Sequence, residues 1–132
     1  MAEGLARSLK GDVLNSYSAG VEPKGIDVRT VKVMQEIGID ISGYRSKHLD
    51  EFKHIEFDYV ITLCGHAHET CPLFPGKTKI IHHGFDDPPA LALGLTDEDI
   101  ILANYRKVRD EIKNFVLTLP ESLYDNTSGF IL

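Results

Sequence analysis

The sequence predicts an α/β fold in which helices flank a central parallel sheet. Short runs of β-branched residues alternate along the chain with segments of helical periodicity, which is the pattern of parallel strands joined by crossover helices. The 132 residues suffice for one domain with its own core, and 42% hydrophobic and 26% charged residues are ordinary values for a globular protein. We therefore expect one domain over residues 1–119, followed by a tail over residues 120–132.

Helical signals occur in three regions before the middle of the chain. Residues 1–10 predict a short helix at the start of the sequence. Asp27 is a favourable cap for a second helix over residues 28–37, and Gly38 is a favourable stop for it. A third, shorter helix is predicted over residues 48–56.

The strongest helical signal lies near the end of the chain. Thr96 precedes three acidic residues and predicts the cap and the favourable N-terminal charges of this helix. Pro120 predicts its end. Apolar side chains then recur at spacings of four and three, which predicts one buried face; they are Ile101, Tyr105, Val108, Ile112, Phe115 and Leu119.

Three segments predict strands of a parallel sheet. Residues 13–17 form the first candidate, and residues 79–82 form the last, after the turn signal Pro75-Gly76. Residues 58–63 predict a buried strand, because both of its faces carry apolar or β-branched side chains. The sheet would therefore lie in the interior of the domain.

Charge and hydropathy exclude two classes of partner. The chain has 14 basic and 20 acidic residues, a net charge of −6, and no basic run, so it lacks the electrostatic footprint of nucleic-acid binding. Its apolar runs are far shorter than a membrane span, and no secretory signal is visible at its start. We therefore expect a cytoplasmic protein that binds neither nucleic acid nor membrane.

Two cysteines, Cys64 and Cys71, follow the predicted buried strand. Ligands and nucleophiles gather at the carboxyl ends of parallel strands, which makes Cys64 well placed for chemistry. On an intact helix, residues seven apart lie roughly 10 Å apart along the axis, whereas a disulfide needs Cα atoms within about 7 Å. The pair is thus reduced when this segment is helical or bonded when it is looped out, which is the behaviour of a redox switch.

Two other interpretations of the cysteines remain open at this stage. Both side chains can serve as small buried hydrophobic groups without any chemistry. His66 and His68 lie between the cysteines and offer a zinc site, although the spacing matches no common zinc pattern. His82 and His83 are more often packing or surface residues than ligands.

Several segments resemble the thioredoxin-coupled arsenate reductases, which share the low-molecular-weight tyrosine phosphatase fold. The match runs in order from the start of the chain to about residue 119, and the cysteine pair separates these reductases from their phosphatase relatives. The segments are Met1-Ala2-Glu3-Gly4, Tyr17-Ser18-Ala19-Gly20, Ile37-Gly38-Ile39-Asp40-Ile41-Ser42, Arg45-Ser46, residues 58–64, Cys71-Pro72, Gly84-Phe85-Asp86-Asp87-Pro88 and Val108-Arg109-Asp110-Glu111-Ile112.

The resemblance implies a mechanism and assigns three site residues. A cysteine in a Cys-X5-Arg loop attacks arsenate, Cys64 then attacks that cysteine and releases arsenite, and Cys71 resolves the product into a Cys64–Cys71 disulfide. Thioredoxin reduces this disulfide, and no cofactor takes part. Asp87 acts as general acid or base, whereas without the resemblance Asp86-Asp87-Pro88 is a plain turn.

The sequence departs from the family at two places. Neither Cys64 nor Cys71 is followed by an arginine six residues later, so the chain contains no Cys-X5-Arg loop. We accordingly expect a chain that lacks the first strand of the sheet and is inactive as written. Some members bind potassium through an acidic residue where this chain has Lys47, and we expect no bound metal here; Glu3 and Ser18 match other members of that ion site.

Three functions follow from these observations. The first is an arsenate reductase that uses Cys64, Cys71 and Asp87. The second is a non-catalytic module whose two thiols exchange with thioredoxin or bind arsenite. The third is a relative of the protein tyrosine phosphatases, for which the cysteine pair would be superfluous.

Overall fold

The computed structural model describes residues 1–19, 25–52, 54–64 and 78–123. Helices and a two-stranded parallel sheet make up this part of the chain. In order, the elements are α1 (Ala2–Lys10), α2 (Val28–Gln35), a 3₁₀ turn (Leu49–Phe52), β1 (Tyr59–Cys64), β2 (Lys79–Phe85), α3 (Pro88–Leu91) and α4 (Glu98–Leu117). A parallel sheet flanked by helices confirms the predicted fold class.

The core lies between α4 and the two helices that precede the sheet. Leu5 of α1 and Met34 of α2 have no exposed surface, and both pack against one face of α4. Tyr105 of α4 is equally buried, and its hydroxyl donates a 2.5 Å hydrogen bond to Asp27. Burial and this carboxylate together raise the pKa of Tyr105 to about 12. The buried positions of α4 follow the predicted spacing, except that Phe115 is only half-buried.

Local signals set the ends of the two principal helices. Asp27 accepts a 2.9 Å hydrogen bond from the backbone N–H of Arg29, which confirms the predicted cap of α2. The chain leaves this helix through Gly38, whose φ of +80° favours glycine. The predicted cap of α4 was wrong by one residue, because Asp97 and not Thr96 accepts a hydrogen bond, from the N–H of Asp99 at 3.0 Å.

The predicted strand over residues 13–17 is wrong. The N–H groups of Val13 and Leu14 donate to the carbonyl of Lys10, so the chain leaves α1 in a turn. The carbonyl of Ser16 accepts two hydrogen bonds from the guanidinium of Arg7, at 3.2 and 3.1 Å. These backbone groups are therefore satisfied by α1 and its side chain and not by a neighbouring strand.

Two further expectations differ from the structure in extent. The predicted helix over residues 48–56 is reduced to the 3₁₀ turn, whose sequence begins with a leucine followed by two acidic residues. A short helix that the sequence did not predict, α3, follows the sheet, with Pro88 in its first turn. Proline is tolerated there because the first N–H groups of a helix have no partner within it.

The two strands pair in register and then shift near their carboxyl ends. Tyr59 lies opposite Lys79 and Thr62 lies opposite His82, but Cys64 lies opposite Phe85, which marks a β-bulge. The prediction that this strand is buried was wrong for most of its length: among residues 59–63 only Thr62 is buried, and the others are half-buried. Burial of a strand depends on which other elements cover its faces. The apolar pattern of one segment does not specify those elements.

α4 is the longest of the described helices, at 20 residues. None of them combines the length and the apolar character that crossing a membrane requires.

Candidate active site

The structure brings two of the three predicted site residues to one edge of the sheet. Cys64 is the last residue of β1, and its Cα partner is Phe85, the last residue of β2. Asp87 follows Phe85 by two residues, so it lies at the same carboxyl edge. Cys71, together with His66 and His68, lies outside the described residues.

Asp87 stands at the start of α3 with extended backbone angles. Its carbonyl accepts the hydrogen bond that begins the helix, from the N–H of Leu91 at 3.0 Å. Its side chain makes no capping hydrogen bond, and the residue is exposed. The carboxylate is therefore not used to hold the start of the helix.

A cross-strand hydrogen bond and an aromatic stack support the end of the sheet. The hydroxyl of Thr62 lies 2.6 Å from Nδ1 of His82, two residues before Cys64. On β2, the ring of His83 stacks on Phe85 at 4.6 Å and lies 4.1 Å from Phe115 of α4. The bulge lies between Thr62 and Cys64 on β1, and the stack of His83 on Phe85 spans it on β2. Bulges often accompany functional sites because they redirect side chains.

Thr62 was not predicted from the sequence as a residue of this region. His82 and His83 were predicted to be packing or surface residues, and the stacking of His83 agrees with that interpretation. The two-residue spacing between Thr62 and Cys64 was the available signal, since side chains two positions apart on a strand lie on the same face. The partner of Thr62 could not be identified without the register of the two strands.

A buried carboxylate, Glu3 of α1, lies at the centre of a charged cluster. Glu3 is 8% exposed; its Oε1 lies 3.2 Å from Nζ of Lys47 and its Oε2 lies 3.0 Å from the guanidinium of Arg7. The hydroxyl of Ser18 also donates to it. Lys47 thus supplies a positive charge to Glu3 and links α1 to the segment before the 3₁₀ turn.

Within the described ranges, no group of three or more His, Cys, Asp or Glu side chains could hold a metal ion. A cavity of about 220 Å³ lies beside the cluster, lined by Glu3 and Ser18 together with Asp27, Tyr44 and Arg45. The guanidinium of Arg45 is bound to Glu51, which raises its pKa above the usual value.

Comparison with known proteins agrees with the fold and the motifs. Residues 1–128 match the family described as low molecular weight phosphotyrosine protein phosphatase. The chain is 46% identical over 122 residues to an arsenate reductase of Halalkalibacterium halodurans, covering 92% of this chain and 86% of that protein. An arsenate reductase of Bacillus subtilis gives the same identity and coverage.

A solved structure of an arsenate reductase in its oxidized state superposes with a TM-score of 0.72. The two sequences are 30% identical, and the match covers 89% of this chain and 83% of that one. The chain therefore belongs to the low molecular weight phosphotyrosine protein phosphatase family, and its relatives within that family include arsenate reductases.

Proposed function

We propose that this protein takes part in the reduction of arsenate to arsenite, with Cys64 and Cys71 as its redox pair. The observation that carries the proposal is the identity of 46% to arsenate reductases over 92% of the chain. The position of Cys64 at the carboxyl edge of the sheet, next to the segment that bears Asp87, supports the same conclusion.

The chemistry balances with three thiols. A nucleophilic thiol, which this sequence does not supply in a Cys-X5-Arg loop, forms a sulfur–arsenic bond as water leaves. The sulfur of Cys64 attacks that thiol, the sulfur–arsenic bond breaks, and its electron pair reduces arsenic to arsenite. The sulfur of Cys71 then displaces the first thiol and leaves a Cys64–Cys71 disulfide, so that two thiols have lost two electrons.

Asp87 is proposed to transfer the proton that the departing oxygen needs. General acid catalysis requires a carboxyl group that can reach the reacting atoms and is not occupied elsewhere, and Asp87 makes no capping bond. A protein dithiol such as thioredoxin would reduce the disulfide, and a reducing compartment such as the cytoplasm would keep that reductant available.

The test begins with the intact mass of the protein isolated from its native source and with an arsenate-dependent assay, in which thioredoxin and thioredoxin reductase couple the protein to the oxidation of NADPH. Variants at Cys64, Cys71 and Asp87 would be produced from the same gene. Cys64→Ser should abolish turnover. Asp87→Asn should lower kcat by about 100-fold, which is the usual contribution of a general acid. Asp86→Asn, the adjacent exposed carboxylate, is the matched control and should stay within twofold of the wild type.

Two other results would contradict the proposal and indicate a different function. Arsenite binding that either Cys64→Ser or Cys71→Ser abolishes, without any turnover of arsenate, would indicate a non-catalytic dithiol module. Hydrolysis of para-nitrophenyl phosphate that Cys71→Ser does not affect would indicate a phosphatase, the activity for which the family is named.

A further inference from the structure

The carboxylate of Glu3 is the most enclosed charge of the charged cluster that Arg7, Ser18 and Lys47 complete. Only 6% of its side chain is exposed, and its two oxygens have different partners. Oε1 accepts hydrogen bonds from Nζ of Lys47, at 3.2 Å, and from the hydroxyl of Ser18. Oε2 lies 3.0 Å from the guanidinium of Arg7. A carboxylate that has lost this much of its hydration needs an opposite charge beside it.

The two cations of the cluster differ in how strongly they neutralise this carboxylate. The side chain of Arg7 is 50% exposed and lies one turn from Glu3 on the same helix. Water screens such a pair, and ion pairs on a helix surface contribute little. The side chain of Lys47 is only 14% exposed, so its attraction to Glu3 is screened less. The ammonium of Lys47 is therefore the principal counter-charge of Glu3.

This ion pair also joins segments that are far apart in the sequence. Glu3 belongs to the first turn of α1, whereas Lys47 precedes the 3₁₀ turn. The hydroxyl of Ser18 brings a third segment to the same oxygen of Glu3. Next to Ser18, the ring of Tyr17 packs edge-to-face on Phe52 of the 3₁₀ turn, at 5.5 Å between centroids. Three segments therefore meet at one buried carboxylate.

The family resemblance implies a bound cation at this place in some members. Those members bind potassium through an acidic residue at the position of Lys47, and Glu3 and Ser18 match other parts of their ion site. The residues of this chain do not fit such an ion. The ammonium of Lys47 already lies at hydrogen-bond distance from Oε1 of Glu3, so a potassium ion on that oxygen would stand beside a like charge where water screens it poorly.

We propose that the ammonium of Lys47 is a built-in replacement for a bound monovalent cation. It neutralises Glu3, holds α1 against the segment before the 3₁₀ turn, and makes the folding of this protein independent of potassium. The proposal rests on the charged cluster and goes beyond the proposed function, because no step of arsenate reduction enters it.

Removal of the ammonium should open a cation site. The oxygens of Glu3 and Ser18 would remain, and hard cations prefer oxygen ligands. The cavity of about 220 Å³ borders both side chains, so an ion has space beside them. Lys47→Gln removes the competing charge and adds an amide oxygen on a side chain of similar length. This variant should therefore bind a monovalent cation that the wild type excludes.

The test is urea unfolding of the full chain at one ionic strength, set with KCl, LiCl or choline chloride. The midpoint of the wild type should be the same in all of these salts. In choline chloride, Lys47→Gln should lower the midpoint by about 1 M, because Glu3 loses its buried partner. In KCl, about half of this loss should return, because the ion replaces the missing charge. Choline is too large for the site, so ionic strength alone cannot produce this difference.

Two further variants serve as controls. Lys107→Gln removes a lysine whose side chain is 63% exposed and lies 4.0 Å from Glu111, and its midpoint should equal that of the wild type in every salt. Lys47→Arg keeps the positive charge and should stay independent of the salt. A dependence on potassium in Lys47→Arg would overturn the proposal, because the charge of this side chain would then not be what excludes the ion.

The remaining outcomes each decide the proposal. A wild-type midpoint that rises in KCl alone would overturn it, since this chain would then bind the ion despite Lys47. Equal midpoints of Lys47→Gln in all salts would overturn it as well. If Lys47→Gln is unfolded in choline chloride, helix content by circular dichroism decides: recovery in KCl supports the proposal, and no recovery overturns it. None of these measurements requires turnover of arsenate, so failure of the proposed function leaves them unaffected.

Discussion

Side chains in the helical layer of this protein are more deeply buried than side chains in the sheet. In the helical layer, Leu5, Val33 and Met34 have no exposed surface, and α4 closes over them. In the sheet, Ile80 is 37% exposed, and Thr62 is the only buried residue of β1 before its final cysteine. We therefore expect the helices to contribute more than the sheet to the free energy of unfolding. The residues proposed for chemistry lie on a partly exposed edge of the sheet.

This difference has a physical reason. The inner faces of α1, α2 and α4 cover one another, so the apolar side chains on those faces pack within the described chain. The sheet has two strands in the described ranges, and its register changes at Cys64. Sites that must admit a substrate or a partner are commonly drawn from the less stable parts of a fold. The comparison yields four predictions, in order of decreasing effect.

The largest effect is expected from a cavity in the helical layer. Leu5→Ala should lower the free energy of unfolding by about 3 kcal/mol, because the side chain is fully buried and its surroundings can relax only in part. Ile80→Ala, a comparable deletion in the sheet, should cost only about 1.5 kcal/mol because the side chain is already 37% exposed. Equal losses for the two variants in urea unfolding would contradict the comparison.

A smaller effect is expected from the polar contact that joins α2 to α4. The guanidinium of Arg109 donates to the carbonyl of Val33 at 2.8 Å and to Glu36 at 2.9 Å, and the residue is 8% exposed. Arg109→Met should cost about 2 kcal/mol because it leaves that buried carbonyl without a donor. Arg106→Met is the control: its more exposed side chain bonds to Glu36, so the loss should be under about 1 kcal/mol.

Loss of the cross-strand hydrogen bond should lower the free energy of unfolding only slightly. Thr62→Val removes the hydroxyl that lies 2.6 Å from Nδ1 of His82 and should cost about 1 kcal/mol, the usual net value of one hydrogen bond. A double-mutant cycle with His82→Ala measures the coupling between the two side chains directly. A coupling energy near zero would show that this bond does not stabilise the sheet.

The smallest effect is a change in pH dependence. Hydrogen bonding to Arg106 lowers the pKa of Glu36 from its usual 4.5 to about 2. Because the folded-state value is depressed, this contribution to stability is complete above pH 4.5 and is lost as the pH falls towards 2. The urea midpoint of Glu36→Gln should therefore vary less steeply with pH over this window than that of the wild type.

The exposed Glu111 provides the control for that measurement. Its carboxylate lies 4.0 Å from Nζ of Lys107, at the limit of an ion pair. Glu111→Gln should keep the slope of the wild type. Identical slopes for wild type and Glu36→Gln would mean that the pairing with Arg106 does not persist in solution.

The helices could be predicted closely because their signals are local. Asp27 caps α2 as expected, and the chain leaves that helix through Gly38. The apolar spacing of α4 predicted its buried face from Ile101 to Val108 and beyond. A cap, a stop and a periodic face each depend on residues within one or two turns, so the sequence contains the whole signal.

Strands and site contacts could not be predicted with the same accuracy. Residues 13–17 carry a strand-like pattern, yet their backbone bonds to Lys10 and Arg7. The pairing of Lys47 with Glu3 joins residues 44 positions apart, and no local pattern indicates it. The cysteine pair was predicted as a redox pair from its position and spacing, and Asp87 was predicted as a site residue through family resemblance; their roles stay a prediction.

The sequence by itself determined the fold class, the bounds of the main helices and the family to which the chain belongs. The tertiary structure decided that Cys64 and Asp87 share one edge, that the strand before Cys64 is only partly buried, and that an ion pair between Arg29 and Glu98 joins the starts of α2 and α4. Each of these properties depends on contacts between distant segments. The free energy of such contacts is a property of the assembled chain and not of any segment within it.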